Sequence, residues 1–179
     1  VVGYAGVGVY SVAATGSGVI AEYFNDAAWT DDYSSRVEYD FQKNPRFSVP
    51  FVGMDRVFSI KSTGTIDPRY TETYTFTGVN SPGIVTSKLV VNGSTVFDCT
   101  SGGADNGTIA LTANTPVSIV YYLTVDISTV GNSWFSSLTW QSASQTLQNV
   151  PHSRLDHAST ATTGRQWSDD RVWWLLELY

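Results

Sequence analysis

An Asn-Gly pair flanked by two apolar runs constrains the fold of this chain more than any other feature. Asn92 and Gly93 separate residues 88–91 from residues 94–97, and both runs are rich in β-branched and apolar side chains. Asn and Gly tolerate the positive φ angles that a two-residue hairpin turn requires, which makes this pattern the strongest short-range signal for two adjacent antiparallel strands. The sequence therefore predicts a β-hairpin at this point.

The same strand pattern extends through the middle of the chain. Residues 71–77 alternate with period two, and the runs 108–111 and 117–123 flank a turn-like segment that ends at Pro116. Residues 135–140 form a further strand-like run, and apolar residues do not recur at the helical spacing in this region. Short strands separated by frequent turns predict an all-β fold, a twisted antiparallel β-sandwich or barrel.

Composition indicates one secreted globular domain and excludes several classes of function. The chain has 179 residues, of which 42% are hydrophobic and only 15% charged, against about 25% charged in typical soluble domains. Uncharged polar residues replace the missing charges, as is common in extracellular β-proteins. A net charge of −6 without a cluster of Lys and Arg argues against a nucleic-acid or anionic-membrane partner. No apolar run approaches the roughly 20 residues that span a bilayer.

Several short segments, in the same order along the chain, are similar to the strands of the PA14 family. They are residues 18–24, 47–53, 72–76, 89–93 with Val96 and Asp98, 117–122, 138–140 and 150–153. The resemblance covers about residues 18–157. It implies a twisted antiparallel β-domain on a secreted or cell-surface protein, of the kind found in microbial adhesins, glycosidases and toxin subunits.

The chain departs from the adhesin members of that family in the loop before the hairpin. In those members, two adjacent aspartates hold a calcium ion that binds sugar hydroxyls, and calcium requires about six to eight oxygen ligands. Residues 77–87 contain no acidic residue, and the pair Asp31-Asp32 lies far upstream. The sequence therefore predicts no metal or other cofactor. A carbohydrate-binding module remains the alternative function, with Trp29 and Trp134 as candidates to stack on sugar rings.

No arrangement of residues in the sequence indicates catalysis. His152 and His157 lie near Ser153 and Asp156 in a loop-like stretch. The residues around them lack the sequence pattern that surrounds a catalytic nucleophile. We therefore predict a protein that is not an enzyme. The single cysteine, Cys99, is expected to be a small buried hydrophobe, with a disulfide between subunits as the alternative.

Two asparagines begin acceptor patterns for N-glycosylation. Asn92 and Asn106 are each followed by Gly and then by Ser or Thr. These patterns are meaningful only if the source cell glycosylates its secreted proteins.

The two ends of the chain differ from its middle. Residues 1–14 carry no charge, and small residues lead into a Trp-rich C-terminal segment. A strand that is apolar on both faces is covered on both sides, and adding it to the open sheet edge of another subunit satisfies its backbone hydrogen bonds. We therefore expect an N-terminal strand and joint over 1–17, a PA14-like domain over 18–157, and a linker with a Trp-rich segment over 158–179.

The leading functional hypothesis from the sequence is a self-assembling extracellular structural subunit of a filament, tube or surface array. Its partner would be a second copy of the chain, with glycans as further partners under the carbohydrate alternative. Packing of both ends onto their own domain stays open as the other explanation. The expected subunit-interface residues are Val1, Val2, Tyr4, Val7, Val9, Tyr10, Val12, Trp167, Val172, Trp173, Trp174, Leu176, Leu178 and Tyr179.

Overall fold

The computed structural model describes residues 18–43, 56–99, 105–128 and 134–157. Within these ranges the strands are β1 (Val19–Phe24), β2 (Asp32–Glu38), β3 (Val57–Ile66), β4 (Glu72–Asn80), β5 (Ile84–Val91), β6 (Ser94–Asp98), β7 (Asn106–Leu111), β8 (Val117–Asp126), β9 (Ser136–Ser142), β10 (Gln145–Asn149) and β11 (Leu155–Asp156). A 3-10 helix over His152–Arg154 precedes β11. In the described part of the chain, no helix is long and apolar enough to cross a membrane.

The strands form two antiparallel sheets. The larger sheet has the order β2-β1-β3-β8-β5-β6, with β11 added beside part of β3, and the smaller sheet has the order β10-β9-β4-β7. The hairpin between β5 and β6 turns at Asn92 and Gly93, whose φ angles are 49° and 75°. The predicted all-β sandwich and its hairpin are thus confirmed.

Aromatic side chains fill the space between the two sheets. Tyr74 and Phe76 of β4 and Trp140 of β9 are almost completely buried, and the rings of Tyr74 and Trp140 stack with centroids 5.0 Å apart. On the larger sheet, the buried Tyr121 meets the ring of Phe41 edge-to-face at 5.9 Å. Alternate residues of β4 therefore enter this core, which explains the period-two pattern in its sequence.

A buried ion pair lies beside this core. The Lys43 side chain is completely buried, and its ammonium group donates to the Glu38 carboxylate and, at 3.3 Å, to the Asp40 carbonyl oxygen. Arg36 Nε donates to the same carboxylate at 2.8 Å. Burial lowers the pKa of Lys43. The Lys43 backbone exchanges hydrogen bonds of 2.8 and 2.9 Å with Ser136, which ties this segment to β9.

Gly107 allows the two sheets to approach each other where β6 and β7 meet. A β-carbon at Gly107 would lie 1.9 Å from the carbonyl oxygen of Val96, which is a backbone atom that cannot rotate away. We expect Gly107→Ala to lower the free energy of unfolding by about 1–3 kcal/mol, the usual range for overpacking. Urea denaturation measures this loss. Ala110→Ser enlarges an exposed residue of the same strand and should change stability little; equal losses in both variants would contradict the close approach.

Candidate ligand-binding site

A row of polar and aromatic residues crosses the outer face of the larger sheet. The residues lie directly opposite one another on β1, β3, β8, β5 and β6, and we call them the outer row: Glu22, Lys61, Tyr122, Lys88 and Asp98. Lys61 pairs with Glu22 at 2.7 Å, and Lys88 pairs with Asp98 at 3.0 Å. All five residues are half-buried. Tyr122 therefore stands between two lysines, each of which is balanced by a carboxylate on the next strand.

Trp29 lies against the centre of this row. It belongs to the loop between β1 and β2, and its half-buried ring meets Tyr122 edge-to-face, with centroids 5.6 Å apart and planes at 81°. The two rings border a groove of about 370 Å³, within the size range of small-molecule sites. This outer groove is lined by Trp29, Lys88, Val90, Gly93, Thr95, Asp98 and Tyr122.

The carboxylate of Asp26 organises the loop that carries Trp29. It accepts hydrogen bonds from the backbone N–H groups of Ala28, Thr30 and Asp31, each at 3.1 Å, and from the Thr30 hydroxyl. The bond from the Thr30 side chain, helped by those from the backbone, lowers the pKa of Asp26. The loop is also anchored to β3, because Ser59 Oγ donates to the Asp26 carbonyl oxygen at 2.7 Å.

Trp29 itself has an energetically unfavourable backbone conformation and environment. Its φ angle of 55° lies in the left-handed region, which bulky side chains rarely adopt. Its indole N–H is buried and finds no acceptor among the residues that the structure describes. Such strained conformations persist only when the surroundings enforce them, and they concentrate at ligand sites. Here the Asp26 hydrogen bonds supply that enforcement.

A second polar cluster lies at the loop between β4 and β5, the position of the adhesin calcium loop. Asn80 Oδ1 accepts from Ser136 Oγ at 2.7 Å and from the Tyr121 hydroxyl at 3.3 Å. Asn80 Nδ2 donates to Ser87 Oγ at 3.1 Å. Burial raises the pKa of Tyr121, so its hydroxyl stays protonated. The polar groups at this loop are therefore engaged with one another.

The pocket beside this loop contains one carboxylate. It has a volume of about 260 Å³, and we call it the loop-end pocket: Asn80, Ile84, Val85, Thr86, Ser87, Cys99 and Asp105 line it. Asp105 lies 25 residues after Asn80 in the sequence, so sequence reasoning did not connect the two residues. The pairing of β4 with β7 brings Asp105 close to Asn80. The described residues hold no group of three acidic, His or Cys side chains suited to a metal.

The structure separates the two tryptophans that the sequence nominated for sugar stacking. Trp29 borders the outer groove. Trp134 is only 2% exposed and packs edge-to-face on Phe58 at 5.7 Å, so its nomination is corrected: a buried ring offers no face to a ligand.

The other predicted residues have varied outcomes. Asn92 and Asn106 are exposed, and their glycosylation stays a prediction. Cys99 is half-buried against the core. The rings of His152 and Tyr39 meet edge-to-face, with centroids 6.0 Å apart. All the predicted subunit-interface residues lie outside the described ranges.

This chain is similar in sequence and in structure to parts of anti-sigma factors. No family model matches this chain. It is 30% identical over 148 residues to the anti-sigma-I factor RsgI3 of Acetivibrio thermocellus, an alignment that covers 79% of this chain and 21% of that protein. A solved anti-sigma factor domain-containing protein shares 27% identity with a TM-score of 0.68, over 79% of this chain and 48% of its own. The chain thus spans about a fifth of the curated relative's length.

More distant solved structures establish the type of sandwich. The PA14 domain of the antifreeze protein MpAFP has a TM-score of 0.62 at 11% identity, over 79% of this chain and 90% of its own. A PA14 sugar-binding domain from an RTX adhesin has a TM-score of 0.61 at 14% identity, over 79% of this chain and 99% of its own. Identities this low show the fold alone. The predicted PA14 resemblance is therefore confirmed for the fold.

These matches correct the functional hypothesis drawn from the sequence. A self-assembling structural subunit of a filament, tube or array, with a second copy as its partner, is wrong because the similar proteins are anti-sigma factors. The error has a physical origin. Apolar ends indicate that something covers them, but hydrophobic burial is non-directional and does not identify the covering partner.

Proposed function

We propose that this chain is a non-enzymatic recognition module of a regulatory protein of the anti-sigma-factor type. The observation that carries the proposal is its 30% identity to an anti-sigma-I factor over 148 residues. The solved anti-sigma factor domain-containing protein with a TM-score of 0.68 supports the same class. Since the match involves 21% of the curated relative, the chain corresponds to one part of a longer regulator.

The outer groove supports a binding role for this module. Its charged groups, Lys88 and Asp98, are paired with each other at 3.0 Å, and the remaining lining consists of two aromatic rings and small or apolar side chains. A concave surface that combines aromatic rings with a few placed polar groups is typical of ligand sites. In this proposal the groove recognises a ligand and releases it unchanged.

A saccharide is the ligand class that we propose for the module. One protein with the same type of sandwich is described as a sugar-binding PA14 domain, and the Trp29 and Tyr122 rings offer a stacking surface. The low content of charged residues, 15%, fits a location outside the cell. The division into 1–17, 18–157 and 158–179 stays a prediction, with the central range as the recognition unit.

A chimeric regulator tests the regulatory role. The segment of the Acetivibrio thermocellus anti-sigma-I factor that aligns with this chain is replaced by the chain, and a reporter gene dependent on the cognate sigma factor is measured. We expect soluble polysaccharides to change reporter expression by about 5-fold or more, the lower end of typical allosteric coupling. A chimera with an unrelated β-sandwich is the control. Reporter output that ignores every polysaccharide, in cells that contain the intact chimera, would refute the proposal.

A further inference from the structure

We propose that the outer groove is a calcium-independent saccharide site, and that Asp26 is the residue that positions Trp29 within it. This inference rests on the saccharide class named above. It places the site on the outer face of the larger sheet, away from the β4–β5 loop at which adhesin members of the PA14 family hold calcium and sugar.

The aromatic pair provides the apolar part of the site. Trp29 and Tyr122 are both half-buried, and their planes stand at 81° to each other. A pyranose ring has one face made of C–H groups, which packs on an aromatic ring while its hydroxyls point outwards. Two rings at nearly a right angle can contact one face and one edge of the same sugar. Large rigid rings of this kind give contact area with little loss of conformational freedom.

The Lys88–Asp98 ion pair provides the polar part. Its ammonium nitrogen and carboxylate oxygen are 3.0 Å apart, and the two side chains are 36% and 31% exposed. A donor and an acceptor at that separation suit two neighbouring sugar hydroxyls, because one hydroxyl can accept from Lys88 while the next donates to Asp98. Both bonds would be charge-assisted, which makes them stronger than bonds between neutral groups.

The charge balance of the outer row selects an uncharged ligand. Lys61 and Lys88 are matched by Glu22 and Asp98, so the row has a net charge of zero in its ionised state. A phosphate or polyanion would need unpaired positive charge at this surface. A neutral polyol has no such requirement, since each hydroxyl is both donor and acceptor.

The loop-end pocket is less suited to this role. Asn80, Ser87, Tyr121 and Ser136 satisfy one another through hydrogen bonds of 2.7–3.3 Å. Asp105 is the carboxylate lining this pocket, and one carboxylate falls well short of the ligand set of calcium. Within the described ranges, Asp98 is likewise the one carboxylate that lines the outer groove, so sugar binding there should be insensitive to calcium removal.

Asp26 connects the local loop structure to the site. Its carboxylate binds the N–H groups of residues 28, 30 and 31, which surround Trp29 on both sides in the chain. Without these bonds, Trp29 has no reason to keep a φ angle of 55°. Its ring would then leave Tyr122, and the groove would lose one wall.

Direct binding measurements on the purified chain test this inference. Soluble β-glucan, xylan, galactan and mannan are titrated by calorimetry and by tryptophan fluorescence, with calcium chloride or with excess EDTA. We expect at least one polysaccharide to bind equally well under both conditions. Trp29→Ala and Tyr122→Ala should each weaken binding by about tenfold or more. Tyr39→Ala, which removes a 78% exposed aromatic ring elsewhere, is the matched control and should bind normally.

Asp26 has a separate readout as a positioning residue. Asp26→Ala should weaken binding and shift the fluorescence of the ligand-free protein to longer wavelength, while circular dichroism shows that the β-sandwich remains folded. The shift should vanish in a Trp29→Ala background, and Asp26→Asn should restore part of the affinity because Asn also forms such turns. An affinity that Asp26→Ala leaves unchanged would overturn this positioning role.

The outcomes distinguish this inference from the regulatory proposal. Binding abolished by EDTA, or binding that survives both Trp29→Ala and Tyr122→Ala, would overturn the outer groove as the site. Failure of all four polysaccharides to bind would overturn the saccharide class. The regulatory proposal is decided separately, by the reporter response of the chimera.

Discussion

Glu38→Ala is expected to lower the free energy of unfolding by about 3–5 kcal/mol, the typical effect of removing one partner from a buried ion pair. The Lys43 side chain is completely buried, and the Glu38 carboxylate accepts from its ammonium group. Without that carboxylate, the acceptor left to Lys43 in this network is the Asp40 carbonyl oxygen at 3.3 Å. The variant must then either bury an uncompensated ammonium group or keep Lys43 deprotonated. Urea denaturation measures the loss of stability in either case.

Two companion variants isolate the cause. Glu38→Ala combined with Lys43→Met removes the buried ammonium group together with its partner and should recover part of the lost stability, because a buried pair can be replaced by apolar side chains at little net cost. The recovery is partial because Arg36 and the Tyr23 hydroxyl also donate to the Glu38 carboxylate and lose it in both variants. Glu22→Ala breaks the Lys61 pair, whose partners are each 33% exposed, and should change stability by no more than about 1 kcal/mol. Similar losses for Glu38→Ala and Glu22→Ala would show that burial of Lys43 does not determine the effect.

The type of secondary structure could be predicted from the sequence, but the pairing of strands could not. Period-two patterns and the Asn92-Gly93 turn depend on local geometry, and the hairpin they predicted is present. Residues 108–111 and 117–123 are neighbours along the chain, yet they lie in different sheets. β7 pairs with β4, whereas β8 lies between β3 and β5. Alternation shows that one face of a strand is buried, but not which strand lies beside it.

The candidate site was only partly predictable for the same reason. Trp29 could be nominated from its residue type, but Trp134 has the same type and is buried. Tyr121 and Tyr122 had to point to opposite faces of their strand. The odd-numbered residues of 117–125 are all apolar, whereas Ser118 and Thr124 share the face of Tyr122. The alternation therefore indicates that Tyr122 faces outwards, but it does not show which strands lie beside it. The groove also depends on cross-strand register, which places Tyr122 opposite Lys88.

The anti-sigma-factor comparison changes how the outer groove is interpreted. A sensing module requires that its ligand bind reversibly, and that binding alter the equilibrium of the protein to which it is joined. In the proposed function, the outer groove would supply the binding surface, and its side chains are already ordered by the Lys88–Asp98 ion pair and by the Asp26 hydrogen bonds. The second requirement concerns the whole regulator, which is why the chimera and not the isolated chain tests it.

Trp134→Ala is expected to lower the free energy of unfolding by about 3–5 kcal/mol, as large-to-small substitutions of buried aromatic residues do. The Trp134 ring is 2% exposed and lies edge-to-face on Phe58, with centroids 5.7 Å apart. Its removal leaves a cavity beneath β3 that neighbouring side chains can fill only in part. Trp29→Ala removes a half-buried ring from a surface loop, so its effect on stability should be much smaller. Urea denaturation of both variants provides the comparison.

The two tryptophan substitutions should rank in the opposite order when ligand binding, instead of stability, is measured. Trp134→Ala should retain the affinity of the native chain in its folded fraction, whereas Trp29→Ala should lose it. Trp134→Phe should restore most of the stability, because it keeps a ring in the core and removes an indole N–H that has no acceptor among the described residues. If Trp134→Ala instead weakened binding at full stability, the ring would have to be reachable by ligand, and the separation of core and site tryptophans would be wrong.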